Sequence, residues 1–301
     1  MNKQLKQVLL FTGILLAVVS LVQYAIDALY RKRVTNKFIM VFKHEVDKPV
    51  MIFGSSVAYH QFDPAIIRNV AGSDAFNMGF PGMFFSQYNG LIREYISYEK
   101  QCKAIVIACD FDNLGKNKLA TRPDLFLAYL GNTNIYNSMY DIEPRKAILA
   151  RYLPGYKLTL MNKSFYTDIL VGRQYPNRQS GFEPLNSKWE VTKREPFNSR
   201  YDEGVFIDFK ETMNLVTQKG IKVILVIPPV YEEGYKLILN AETIKSKYRS
   251  LVGKDVFFLD YTGDSICKTK SYFRNFTHLN ADGAALFSHT FATDLLKIIH
   301  E

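Results

Sequence analysis

A chain of 301 residues with 48% hydrophobic and 14% aromatic side chains can bury a full core, which excludes a disordered or low-complexity polymer. Its formal charge of +9 raises the question of nucleic acid, but there is no long basic run, zinc-finger spacing or Gly-rich phosphate loop, so no nucleic-acid partner is expected. A basic exterior suits an anionic envelope or polymer equally well. Cys102, Cys109 and Cys267 lack C-x-x-C spacing, which argues against a disulfide framework or a metal site, and no cofactor is expected.

The apolar stretch from Val8 to Tyr30 is long enough, at about 1.5 Å per residue, to cross a hydrocarbon core of about 30 Å. A cleavable signal peptide is the main competitor. No small-x-small site follows, however, and Arg31, Lys32 and Arg33 form an interfacial stop, so a retained single-pass anchor over residues 1–36 is the expectation. Lys3 and Lys6 oppose the later basic cluster, and the distribution of charge leaves the orientation open. Asp27 reads as a tolerated charge at headgroup level.

Residues 37–301 are expected to form one α/β domain. Short apolar runs alternate with longer amphipathic segments: "VMIFG", "AFNMGF", "AIVIACDF", "KVILVIPP" and "VFFLDY" read as five strands of a largely parallel sheet. Helices are predicted near 85–98, 208–219, 235–251 and 281–299, the last with Phe287, Phe291, Leu295 and Ile298 on one stripe and Asn280 at its cap. Residues 115–200 break the rhythm and read as an insertion or cap, helical around 141–151.

In such a sheet reactive groups collect at the carboxyl ends of the strands. There the sequence offers Gly54-Ser55-Ser56 after the first strand, "NMGFPG" after the second, "CDFDN" after the third and "NFTHLNADG" before the last helix. Together these hold a hydroxyl nucleophile, donors for an oxyanion and an imidazole base, which is what acyl transfer needs. Taken singly, each also has a structural explanation as a turn or a helix cap. His60, four residues after Ser56, is a rival base.

The order and spelling of these loops resemble the SGNH (GDSL-like) hydrolase superfamily. The anchor ending "YAIDALYRKR" and the stretches "FGSSVAYHQFDP", "FNMGFPG" and "YFRNFTHLNADGAALFS" look like its membrane-anchored branch, which includes the lipoteichoic acid D-alanylation protein DltD. The resemblance implies a three-layer α/β/α, flavodoxin-like domain after one transmembrane helix. It also implies Ser56 as nucleophile, His278 as base, and Ser56 N–H and Gly82 N–H in the oxyanion hole. In "CDFDN" the expected Asn could be matched by Asp110, Asp112 or Asn113, and Asn113 is assigned there as the only one of the three with a donor at neutral pH.

One departure concerns Asn275, which stands where the superfamily has the Asp that orients the histidine. An amide can accept the imidazole N–H but brings no charge to stabilise an imidazolium. A Ser-His pair with an amide orienter, a substitute carboxylate and a weakly active or inactive accessory protein all remain open. The family further implies a bacterial cytoplasmic membrane with the domain on the outer side, an acylated glycan or envelope polymer as substrate, and a membrane-bound O-acyltransferase as partner. Water as acceptor would make the chain an esterase, and a polymer hydroxyl would make it a transferase.

Overall fold

The computed structural model describes residues 2–117, 122–174, 180–190 and 194–300. Helix α1 (Lys3–Arg33) is followed by α2 (Lys37–Phe42), β1 (Val50–Gly54), α3 (Ser56–Gln61), α4 (Pro64–Ala71), β2 (Ala75–Asn77), α5 (Phe85–Tyr98) and β3 (Ala104–Ala108). Five helices occupy much of the predicted insertion: α6 (Asp124–Leu127), α7 (Thr133–Ile142), α8 (Pro144–Tyr152), α9 (Tyr156–Leu160) and α10 (Lys163–Val171). The chain closes with α11 (Glu203–Thr217), β4 (Lys222–Ile227), α12 (Glu232–Tyr235), α13 (Ala241–Arg249), β5 (Val256–Asp260) and α14 (Ala281–His300).

All five strands are parallel, in the order β2-β1-β3-β4-β5. The central strands are buried on both faces, which is why they read as unbroken apolar runs rather than as an alternation. Met51, Phe53, Ile105, Ile107, Val223 and Leu225 pack under α2, α5, α11 and α13. Their neighbours Val50, Ile52, Val106, Ile224 and Val226 pack under α3, α4 and α14. The result is the expected three-layer α/β/α domain. Because β2 and β3 lie on opposite sides of β1, the chain reverses direction there, and a crevice opens beyond the carboxyl ends of β1 and β3.

Helix α1 is long and apolar enough to cross a membrane, and its first half is exposed. One side of its last turns is buried. Tyr30 stacks on Phe165 at 4.4 Å, and Tyr30 and Val34 belong to the same buried cluster as the sheet. Asp27, expected as a solitary interfacial charge, is instead buried in an ion pair with Lys157.

The loop after β2 fixes the position of α3. Asn77 is fully buried; its Nδ2 donates to the Ala58 and Phe62 carbonyls at 2.7 and 2.9 Å, and its Oδ1 accepts Gly79 N–H at 2.9 Å. Gly79 approaches α3 so closely that a Cβ would lie 2.5 Å from Ala58 Cβ and Tyr59 N. Asn77→Ala strands two carbonyls of the α3 region and is expected to cost about 2 kcal/mol. Urea unfolding should show this as a lower midpoint at unchanged slope.

Candidate active site

Ser55 and Ser56 separate into different jobs. Ser55 is the N-cap of α3: its Oγ accepts Val57 N–H at 3.3 Å and donates to Asp110 Oδ2 at 2.5 Å, so it is committed to structure. Ser56 begins the helix, and its Oγ lies 2.8 Å from His278 Nε2. Gly54, with φ of 150°, makes the turn from β1 without a side chain, since a Cβ would meet Ala58 and Ala108 at 2.9–3.0 Å.

The other imidazole nitrogen is oriented by Asn275. Its Oδ1 lies 3.1 Å from His278 Nδ1 and also accepts the backbone N–H groups of Thr277 and His278, each at 3.0 Å. Two backbone donors aimed at that atom identify it as the oxygen of the amide. A proton on Nδ1 therefore has an acceptor, which leaves Nε2 unprotonated and able to take the Ser56 hydroxyl hydrogen. Thr277 Oγ1 also stands 3.1 Å from Nδ1. His60 is no rival for the serine: its Nδ1 sits 2.6 Å from the Glu183 carbonyl oxygen, while its ring lies 6.2 Å from that of His278.

Gly82 reaches the same place through a turn. Pro81 and Gly82 occupy its centre, Gly82 has φ of 75°, and Met83 N–H closes it on Phe80 O at 3.2 Å, the sequence and bonding of a type II turn. Phe80 N–H donates to Gly54 O at 3.1 Å and ties this turn to the end of β1. Among the described residues neither Ser56 N–H nor Gly82 N–H has a hydrogen-bond acceptor. Both line one cavity of about 240 Å³ together with His278.

Asn113 is not part of that lining. It is buried behind it, with Oδ1 accepting the Tyr88 hydroxyl at 2.5 Å and Nδ2 without a hydrogen-bond partner among the described residues, so the side chain expected in the oxyanion hole is directed into the core. Asp110 lines the cavity in its place. Burial raises its carboxyl to about 6, against which the Ser55 hydrogen bond works. Other walls come from residues that carry no sequence motif: Met83 and Phe84, Ile227 at the end of β4 and Val230 beyond it, and Arg194, Phe197 and Ser199 from the end of the insertion.

Burial is the main influence on His278 and lowers its pKa to about 4, with His60, Arg194 and Arg274 adding positive charge nearby. No protein-family model matches the chain, and no curated protein does. Among solved structures, an acetyl xylan esterase, Est2A, from the rumen bacterium Butyrivibrio proteoclasticus is 10% identical with a TM-score of 0.32. The overlap covers 82% of this chain and 62% of that esterase, so the chain spans less than two thirds of its length.

The depressed imidazole sets a pH profile. For a neutral ester, kcat/KM should hold below the ordinary histidine range and fall only through about pH 4, where His278 takes a proton. An inflection near pH 6 belongs to Asp110 and should vanish in Asp110→Asn. The sign for stability follows from the same shift: the unfolded state binds the histidine proton first, so stability falls as pH drops from about 6.5 toward 4. Asn275→Asp places a carboxylate on Nδ1 and should move the acidic limb up by about 1–3 units.

Proposed function

We propose that the chain is a membrane-anchored serine acyl-transfer enzyme that acts on acyl esters of an envelope glycan or polymer. The observation that carries the reading is the 2.8 Å contact between Ser56 Oγ and His278 Nε2, with Asn275 Oδ1 on the opposite ring nitrogen. Ser56 Oγ attacks the acyl carbonyl carbon as its proton passes to Nε2. The tetrahedral oxyanion accepts the N–H groups of Ser56 and Gly82, each worth about 3 kcal/mol by analogy with other oxyanion donors. Collapse breaks the ester C–O bond, Nε2 returns the proton to the departing oxygen, and the acyl group remains on Ser56. Water or a sugar hydroxyl, deprotonated by the same Nε2, then attacks the acyl carbon; the bond to Ser56 Oγ breaks, and Nε2 returns the proton to the serine oxygen.

The DltD-like features of the anchor and motifs favour transfer over hydrolysis. They also support a membrane-bound O-acyltransferase as the partner that delivers the acyl group, with the domain on the outer side of a bacterial cytoplasmic membrane. Apolar walls from Met83, Phe197, Val230 and Ile238 suit an acyl chain, and Arg194 supplies a cation for an anionic polymer.

A second reading, an accessory module that binds acylated polymer without turning it over, draws on Asn275 and Asp110. An uncharged orienter leaves a weak base, and an ionised carboxylate beside the cavity opposes a developing oxyanion. The full chain in detergent, assayed on p-nitrophenyl acetate, separates the two. Ser56→Ala and His278→Ala should each lower kcat by on the order of 10³-fold or more if the pair is catalytic. Equal background rates in wild type and both variants would favour the binding module.

A further inference from the structure

The turn between α8 and α9 packs against α1 at a height that bears on the membrane. Residues 7–26, between Lys6 and Asp27, carry no charge. At about 1.5 Å per residue they span about 30 Å, the thickness of the hydrocarbon layer. Counting back along the helix, Gln23 lies about 6 Å and Val19 about 12 Å inside the boundary that Asp27 marks.

The α8–α9 turn touches those residues. Gly155 N–H donates to Gln23 Oε1 at 3.0 Å, and a Cβ on Gly155 would stand 2.6 Å from Val19 Cγ1. With φ of 83° as well, this position calls for glycine twice over and gives the kind of close small-residue approach that packs helices in lipid. Two residues further along the chain, Lys157 pairs with Asp27 at the boundary itself.

We infer that the α8–α9 turn is a wedge inserted among phospholipid acyl chains of the leaflet in which α1 ends, seating the domain on the bilayer at a second point beside its anchor. The inference rests on the reading of α1 as a membrane span. What the turn exposes agrees with it: Tyr152 is 66% and Leu153 45% exposed, and Ile148 and Leu149 on the preceding helix are also bare. A monomer facing water rarely presents such a cluster. Arg151 lies over the exposed Tyr152 ring at 5.6 Å, and a basic residue beside exposed tyrosine suits the headgroup zone.

Nitroxide-lipid quenching tests this in the full chain, reconstituted alone into phospholipid nanodiscs. The native cysteines are buried and free, so a thiol-reactive environment-sensitive dye reports on one introduced cysteine at a time. Leu10→Cys probes the anchor, Leu153→Cys the turn, and Leu239→Cys an exposed loop between α12 and α13. Tyr152→Cys replaces Leu153→Cys if the latter fails to fold. The turn probe should emit to the blue of the Leu239 probe and lose fluorescence to acyl-chain nitroxide as strongly as the Leu10 probe. Quenching at Leu10 with none at the turn overturns the wedge while leaving the anchor intact, and means that water or another protein covers this face. Quenching at neither overturns the anchor and the wedge together.

Discussion

The site depends on one hydrogen bond, between a hydroxyl at residue 56 and an imidazole 222 positions later in the chain. Several features hold the two ends in register. Gln61 Nε2 donates to Thr277 O at 2.9 Å, so the helix that begins with the serine reaches directly to the histidine loop. Ser288 of α14 accepts Asp63 N–H at 2.8 Å and donates to Gln61 O at 3.1 Å. Phe62 meets Phe287 and Phe291 edge-on at 5.0 Å. Helix α14 is thus both the outer layer of the sheet and the brace for the base, which couples folding of the carboxyl-terminal segment to assembly of the site.

The electrostatics of the pair differ from those of a charged triad. Asn275 fixes the tautomer and ring orientation through its carbonyl oxygen but contributes no negative charge, and burial with nearby cations then lowers the imidazole to about 4. A neutral imidazole is available over a wide pH range, yet each proton it accepts is held weakly. The weak base activates the serine less, while the proton it does take is readily given up to a departing oxygen.

The strands and the closing helix were legible in the sequence because parallel strands buried on both faces produce unbroken apolar runs, and α14 carries a clear stripe with Asn280 capping it through Gly283 N–H at 3.0 Å; the order of the strands was not. Ser56, Gly82 and His278, singled out by motifs that follow a strand or precede a helix, line one cavity. Helix α7 was not. Its sequence "TNIYNSMYDI" is poor in strong helix formers, and it is held by packing on α5, where Gly90 N–H donates to Ser138 Oγ at 2.8 Å. Asn113 was misassigned because donor chemistry can be read from residue type, whereas the direction of a side chain after a strand is set by tertiary packing, here the Tyr88 hydroxyl. Cavity residues such as Arg194 and Phe197 come from an irregular segment with no periodic pattern to mark them.

Covalent trapping tests the central claim most directly. A fluorophosphonate needs a serine oxygen activated by a neighbouring base and leaves a permanent mass on it. One adduct per chain is expected, mapped to Ser56, formed far more slowly in His278→Ala and absent in Ser56→Ala. An adduct on Ser55, or labelling of the wild type no faster than of His278→Ala, would contradict it.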